Sequence, residues 1–254
     1  MSTTPKISII TVVKNGAETI QQCIESVWSQ SIDVEHLVLD GASSDGTAEI
    51  VSNNSDKITL FISEKDNGIY SAMNKGVQMA TGDIVGILNA DDFYEDNYVL
   101  ERVLAAFERK DVEACYGDLA YIDSLNVNRV TRRWFSGSYR PSNFYWGWMP
   151  PHPTFFVLRS VYRRFGLFRE DMGTAADYEL MLRFLLVGQI SCNYIPEVLV
   201  RMRAGGASNA TLMNRIQANR MDRRAWDVNF VKPYPWTLIF KPLRKLGQWV
   251  RNGS

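Results

Sequence analysis

Asn89-Ala90-Asp91-Asp92 follows an apolar run, Ile84-Val85-Gly86-Ile87-Leu88, that has the length of one strand. Two adjacent carboxylates and a carboxamide at a sheet edge are hard oxygen donors, the kind that binds Mg²⁺ or Mn²⁺ and bridges it to substrate phosphates. Asp-Asp after a strand serves as readily as a turn or a helix cap. The cluster therefore gains meaning from what other strands bring to the same edge. Asn15, Asp40 and Asp66 each stand just past another apolar run. Together these groups point to a divalent ion and the phosphates of a nucleotide sugar.

The elements that would position them alternate regularly. Residues 7–13 are β-branched and nearly all apolar, the pattern of a strand covered on both faces. Ile20, Cys23, Ile24, Val27 and Trp28 then recur at helical spacing, which predicts an amphipathic helix over 19–30. Residues 36–40 and 60–63 read as further strands, the first followed by the turn-rich 41–47 and a short helix, the second by the polar 64–68. A helix over 69–80 would place Ile69, Met73, Val77 and Ala80 on one face. Strand and helix thus alternate four times at roughly 25-residue intervals, which predicts a parallel sheet sandwiched by helices. Ligands of such sheets bind beyond the carboxyl ends of the strands, where all four polar groups fall.

The second half is less regular. A helix is expected over 99–107, strands over 114–120, 127–135 and 154–158, and a helix over 175–187 closed by Gly188. In that helix Leu180, Met181, Phe184 and Leu185 mark the buried face, and Asp177 lies in the first turn, where the helix dipole favours a carboxylate. The aromatic passage 134–153, with Tyr139, Tyr145, Trp146 and Trp148, reads as a substrate-facing or interface segment, with core packing the competing reading. A strand over 197–203, a Gly-rich loop over 204–208 and a helix to about Trp226 complete the body. The tail, 233–251, mixes aromatics, aliphatics and cations without an acid. That composition suits a segment lying near anionic lipid, and equally a docked C-terminal helix with a basic outer face.

Composition bounds the function. The 254 residues can bury a sizeable core, and 46% hydrophobic with 22% charged residues is ordinary for a soluble globular protein. Three scattered cysteines form no metal-spaced pair or even set, which predicts a reducing, cytoplasmic setting. No apolar run approaches the roughly 18 to 20 residues that span a bilayer, and the N-terminus lacks a signal-peptide pattern. The formal net charge of zero hides a division: residues 1–128 carry 8 Lys+Arg against 21 Asp+Glu, and residues 129–254 carry 20 against 7. Either the halves face different partners or they neutralise each other internally. The acidic front half and the lack of any nucleic-acid-binding motif argue against nucleic acid as a partner.

Five stretches in this order carry a resemblance. They are Ser8 to Asn15, His36 to Thr47 with its Asp40-Gly41-Ala42-Ser43-Ser44-Asp45-Gly46-Thr47, Glu64 to Gly76, Gly82-Asp83, and Asn89-Ala90-Asp91-Asp92. The chain resembles, over roughly residues 6–210, family-2 glycosyltransferases of the inverting, nucleotide-sugar-dependent type found in bacterial polysaccharide assembly. The resemblance implies a GT-A fold: a Rossmann-like, mostly parallel α/β sheet flanked by helices, with a C-terminal acceptor-side elaboration. Residues 1–122 would be the nucleotide-sugar half, 123–228 the acceptor and catalytic-base half, and 229–254 the basic aromatic tail.

By the same resemblance Thr11, Val13 and Asn15 would line the base and ribose pocket, Asp40 would take the base or ribose, and Asp66 with Lys75 would sit near the diphosphate and its ribose. Asn89, Ala90 and Asp91 match the family's Asp-x-Asp motif, with Asp91 the acid that holds Mn²⁺ or Mg²⁺. The chain departs from the pattern at Asn89, whose carboxamide adds no charge; Asp92 is either a second acid or a holder of the loop. The family's catalytic base lies in a Glu-Asp pair opening a helix, matched here by Ala176-Asp177, so Asp177 keeps the base position while the preceding acid is lost. His152 would contact the leaving phosphate, the acceptor or the metal. Arg201, Arg203 and the loop Gly205-Gly206-Ala207-Ser208 resemble a segment that closes over the donor.

The implied reaction is transfer of a sugar, from a UDP-sugar by default, to a saccharide acceptor with inversion, as in O-antigen, capsule or exopolysaccharide synthesis. The acceptor would be polyprenyl-diphosphate-linked and met at the inner face of the membrane, to which the tail would bind peripherally. A nucleotidyltransferase would want a basic Gly-rich loop after the first strand, and Lys14-Asn15-Gly16 is a poor one. A dinucleotide enzyme would want Gly-x-Gly-x-x-Gly after a strand, which is missing. The alternative from another class is a non-catalytic sugar-nucleotide-binding or membrane-docked assembly protein, suggested by Asn89 and Ala176 where acids are expected.

Overall fold

The computed structural model describes residues 5–108, 111–203 and 212–241. In chain order the elements are β1 (Ile7–Val13), α1 (Ile20–Trp28), β2 (Glu35–Asp40), α2 (Thr47–Asn53), β3 (Leu60–Ser63), α3 (Ile69–Met79), β4 (Ile84–Ile87), β5 (Phe93–Tyr94), α4 (Val99–Ala106), β6 (Ala114–Ile122), β7 (Val130–Trp134), the single turn α5 (Ser142–Tyr145), β8 (Phe156–Leu158), α6 (Arg159–Phe165), α7 (Ala176–Met181), β9 (Cys192–Arg203) and α8 (Leu212–Val228).

β1 is buried along its whole length because helices cover both faces. Ile10 and Val12 face the core under α3, while Ile7 and Ile9 face the one shared with α1 and α4. Its polar residues are satisfied internally: the buried Glu35 on β2 accepts from Ser8 Oγ and from Thr81 N–H and Oγ1. Burial works against the Glu35 charge, but these hydrogen bonds outweigh it and hold the carboxyl below its ordinary range. α3 lies unusually close to β1: a Cβ on Gly76 would meet Ile10 Cγ2 at 2.4 Å. Of the predicted face, Met73, Val77 and Ala80 are buried, while Ile69 opens onto a cleft. Trp28 is exposed, with the Lys57 ammonium over its ring.

The sheet runs β3-β2-β1-β4-β8-β6-β9-β5, with β7 paired to β6. β3, β2, β1 and β4 are parallel, as predicted. Beyond β4 the sheet is mixed: β8 runs antiparallel to β4 and β6, β9 parallel to β6, and β5 antiparallel to β9. "Mostly parallel" therefore holds for the first half only. The junction depends on a missing side chain, since a Cβ on Gly86 would strike the Phe156 ring at 2.4 Å across the β4/β8 pair.

The predicted helix over 175–187 is α7 followed by a π-wound segment, Leu182–Val187. Arg183 anchors it, donating to the carbonyls of Phe165, Gly166 and Leu167 and pairing with the buried Glu179. The aromatic passage is largely core, contrary to the substrate-facing expectation. Phe144 and Trp148 are buried, Trp148 Nε1 donates to Ser136 O at 2.7 Å, and Tyr139 OH donates to Leu185 O at 2.7 Å. Trp146 alone among its four named aromatics is exposed. The first part of the tail, through Lys241, is docked on this passage; the rest, with the Gly-rich loop 204–208, lies outside the described residues. No helix among the described residues is long and apolar enough to cross a membrane.

Candidate active site

Sheet register explains why the polar groups gather. Val13 pairs with Asp40, and Asp40 with Ser63, so the carboxyl ends of β1, β2 and β3 finish level. β4 ends alongside, where Leu88 N–H bonds Ile10 O. Above this edge lies a cleft of about 1440 Å³ lined by Val13, Asn15, Asn89, Ala90, Asp91 and Asp177, together with Lys14, Glu18, Asp45, Ile69, Tyr70, Glu170, Asp171, Gly173 and Thr174. A smaller pocket of about 160 Å³, formed by Asp40, Asp66 and Lys75 with Leu39, Ile62 and Glu64, adjoins it. Gly41 stands between the two: a Cβ there would meet Asp66 Oδ2 at 2.7 Å and Lys14 Cδ at 3.4 Å.

The N-terminal wall is internally braced. Asn15 takes a positive φ of 54°, donates its N–H to Ser43 Oγ at 2.7 Å and accepts Ser44 N–H on Oδ1 at 2.9 Å. Asp40 accepts from Ser43 N–H, Ser43 Oγ and Ser63 Oγ, so both its oxygens are engaged before any ligand arrives. Lys75 pairs with Glu64, and Asp66 Oδ1 accepts Gly68 N–H. Thr11 is not part of the cleft. It is fully buried beneath α1, with Oγ1 2.9 Å from His36 Nε2 and 3.7 Å from Cys23 Sγ.

At the end of β4, Asn89 and Asp91 face the cleft. Asn89 Nδ2 donates to Asp92 Oδ2 at 3.3 Å, which leaves Asn89 Oδ1 buried and without a partner among the described residues. Asp92 points inward instead, fully buried, and burial with the neighbouring Asp91 charge pushes its carboxyl well above the ordinary range. It holds the turn through Asn89 Nδ2 and does not line the cleft. Asp91 and the orphaned Asn89 Oδ1 are two hard oxygen donors, a set that fits Mg²⁺ or Mn²⁺ completed by substrate phosphates and water. No cluster of three or more His, Cys, Asp or Glu among the described residues is placed to hold a metal by itself. Arg203 lies behind this turn, donating to Asp91 O at 2.5 Å and to Gln22 Oε1, with its guanidinium 5.5 Å from the Phe93 ring. Arg201 forms a two-pronged pair with Glu95, both bonds 2.7 Å. Both arginines brace protein where the sequence suggested a clamp on the donor.

The C-terminal wall brings three acids. Asp171 is neutralised by Arg169 at 3.1 Å and Arg224 at 2.7 Å, and Glu170 accepts from Asn74. Asp177, in the first turn of α7, accepts Tyr178 N–H on Oδ1 at 2.8 Å. One carboxylate oxygen is thereby oriented and the other is left to the cleft. Tyr70 lies against the Asp177 peptide; its burial, reinforced by the Asp177 charge, keeps the phenol protonated. His152 packs edge-on against Phe168 with Nε2 buried and unpartnered. Burial lowers its pKa, and the Asp177 charge opposes that. The structure thus groups His152 with Asp177 and not with Asp91.

Sequence reasoning missed Tyr70, Glu170, Asp171 and the role of Gly173, whose φ of 49° turns the chain towards α7. The Glu170-Asp171 pair was a visible acidic signal six residues before Asp177.

Comparison with known proteins places this geometry. Residues 8–169 match the family model described as Glycosyl transferase family 2. An uncharacterized glycosyltransferase of Mycobacterium tuberculosis is 28% identical over 196 residues, 74% of this chain and 71% of that protein. A Mycobacterium bovis protein described as a PGL/p-HBAD biosynthesis glycosyltransferase is 26% identical over 216 residues, 83% of this chain and 82% of that protein. Among solved structures, Staphylococcus aureus TarS 1-349 in complex with UDP superposes with a TM-score of 0.69 at 16% identity, covering 98% of this chain and 74% of that one. A mannosyltransferase from Pyrobaculum calidifontis in complex with GDP-Man and Mn²⁺ gives 0.66 at 19% identity, covering 100% of this chain and 77% of that one.

Proposed function

Because the chain belongs to glycosyltransferase family 2 and carries the GT-A fold, we propose that it transfers a sugar from a nucleoside-diphosphate sugar to a saccharide hydroxyl by a single inverting displacement. One observation carries the proposal: Asp91 at the end of β4 and Asp177 at the start of α7 line the same cleft. The donor-holding edge and a candidate base, contributed by opposite halves of the chain, therefore meet around one volume.

In this reading the nucleoside occupies the smaller pocket beside Asp66 and Lys75, and the diphosphate lies over Lys14 and the Asn89–Asp91 turn. Asp40 acts by shaping the loop after β2, since Ser43 and Ser63 already occupy its oxygens. Asp91 and Asn89 Oδ1 would hold Mg²⁺ or Mn²⁺, which when bound neutralises charge on the diphosphate leaving group. Asp177 accepts the proton of the acceptor hydroxyl as that oxygen forms its bond to the anomeric carbon and the bond to the diphosphate oxygen breaks. Tyr178 N–H holds the Asp177 carboxylate in place, and Tyr70 packs against the Asp177 peptide. A UDP-sugar is the donor of first choice, supported by the UDP in the TarS complex, and the GDP-Man of the archaeal neighbour makes GDP-sugars the second. For the acceptor we take a lipid-linked saccharide of bacterial surface polysaccharide synthesis.

The test is titration of UDP-, GDP- and dTDP-sugars with Mn²⁺ or Mg²⁺, following binding and slow donor hydrolysis in the wild type and Asp91→Ala. Metal-dependent binding of one donor, weakened about tenfold or more in the variant, is expected. Absence of binding to every donor would favour a non-catalytic assembly protein instead.

A further inference from the structure

α3 stands between the smaller pocket and the candidate base, and its residues divide by face. Ala72, Met73, Gly76 and Val77 are buried in the core. Ser71 and Lys75, four apart, line the smaller pocket. Tyr70 and Asn74, also four apart, form the neighbouring face and turn to the segment that leads into α7. Asn74 grips that segment at its beginning. Phe168 N–H donates to Asn74 Oδ1 at 2.8 Å, and Asn74 Nδ2 donates to Phe168 O at 2.9 Å. Tyr70 packs its ring on that of Phe168, centroids 5.6 Å apart, and lies at the segment's far end against the Asp177 peptide.

We propose that Tyr70 and Asn74 are positioning residues for Asp177, bracketing residues 168–177 from α3 and so coupling occupation of the donor pocket to placement of the base. The far end of the bracket lacks a support of its own. α7 begins at Ala176, and Ala175 before it has no side-chain oxygen to cap the first-turn N–H groups. The path from Phe168 to Asp177 also passes through Gly173 at a φ of 49°, a residue that adds no stiffness. What α3 supplies from outside is therefore what fixes the carboxylate.

The coupling has a handle on the donor side. Asp66, in the smaller pocket, accepts Gly68 N–H on Oδ1 at 2.9 Å and so holds the residue from which α3 starts. A nucleoside diphosphate seated on Asp66, Ser71 and Lys75 steadies one face of α3, and the adjoining face holds the peptide of the base. Neither Tyr70 nor Asn74 takes a proton: the phenol stays protonated and the carboxamide has none to exchange at the pH of the reaction. The inference rests on the transferase reading, with Asp177 as base.

The test is a double-mutant cycle on the full chain. Tyr70→Phe keeps the ring on Phe168 and removes the hydroxyl; Asn74→Ala removes both bonds to Phe168; each is made in the wild type and in Asp177→Asn. The readouts are nucleotide-sugar affinity, slow donor hydrolysis, and amide hydrogen exchange of residues 168–178 with and without UDP or GDP. Expected are donor affinity within about twofold of the parent, and hydrolysis slower by roughly ten- to a hundredfold in the wild-type background but unchanged in Asp177→Asn, where no base is left to misplace. Nucleotide should slow exchange over 168–178 in the wild type, and that slowing should vanish in either variant although nucleotide still binds. The exchange readout needs no turnover. Equal losses in both backgrounds would reduce the two residues to a structural role, and nucleotide that binds without slowing exchange over 168–178, or variants hydrolysing donor at the parent rate, would overturn the proposal. Failure of the wild type to bind any nucleotide sugar would defeat the transferase reading and this proposal with it, whereas the other outcomes leave that reading standing.

Discussion

Replacing Asp177 by Asn separates chemistry from folding with one atom changed. Asn keeps an oxygen able to accept the Tyr178 N–H bond of 2.8 Å, so the local geometry survives. What the fold loses is the favourable charge in the first turn of α7, worth about 0.3–1 kcal/mol. Against a typical stability of about 5–15 kcal/mol, that leaves nearly all molecules folded. The reaction loses its proton acceptor, and positioned proton transfer is worth ~10² to 10⁴ in rate, about 2.7–5.4 kcal/mol of activation free energy. The two effects differ by several-fold in energy and cannot be confused. The assay is turnover of the donor identified above with a saccharide acceptor, alongside donor affinity and thermal unfolding. The expected pattern is kcat down at least about a hundredfold, with donor affinity and melting temperature nearly unchanged. Turnover within about threefold of the wild type, a barrier change of only ~0.6 kcal/mol, would remove Asp177 from the base role.

Two further outcomes follow from the packing. Burial depresses the His36 pKa to about 3, so the folded state keeps the ring neutral while the unfolded chain protonates near pH 6.5. Stability is thus complete above pH 6.5 and is lost as pH falls towards 3, at up to ~1.4 kcal/mol per pH unit. His36→Gln should flatten the fall in melting temperature between pH 6.5 and 4; an unaltered slope would refute the assignment. Gly76→Ala places a methyl 2.4 Å from Ile10 Cγ2 and 3.2 Å from Leu39 Cδ1. Overpacking of this kind costs roughly 1–3 kcal/mol, a melting-temperature loss of about 2–12 °C for a domain of this size. An unchanged melting temperature would show that α3 can lift off β1 freely.

Why the first half was readable and the second was not comes down to burial pattern. β1, β2 and β4 are buried along their whole length and the edge strand β3 is half-buried, so each carries an apolar run whose limits are visible; β1 and β3 fall on the expected residues. β5 is two residues long and carries no period at all. β9 begins at Cys192, five residues earlier than expected, because Asn193, Pro196 and Glu197 interrupt the pattern that pairing with β6 nevertheless tolerates. Composition could not say which side of the 134–153 passage faces in, and Phe144 and Trp148 turned out to be core. At the site, Asp91 and Asp177 were legible because each stands at the end of a well-marked element. Thr11 sits two residues, about 6.6 Å, short of the strand end, where α1 roofs it over. The bracing role of Arg203 depends on the β5/β9 pairing, which no local pattern encodes.

That pairing also fixes the order in which the protein can mature. Phe93 and Tyr94, the segment immediately after the Asn89–Asp92 turn, find their strand partners in Val200 and Arg201, more than a hundred residues downstream. During synthesis the donor edge therefore leaves the ribosome with its far side unsupported, and it sets only when the last strand slides between β6 and β5. Closing so long a loop is slow compared with the local βα pairings that precede it. Until then β6 presents an open, apolar strand edge, so chains stopped before β9 are expected to lack a formed donor site and to associate edge to edge.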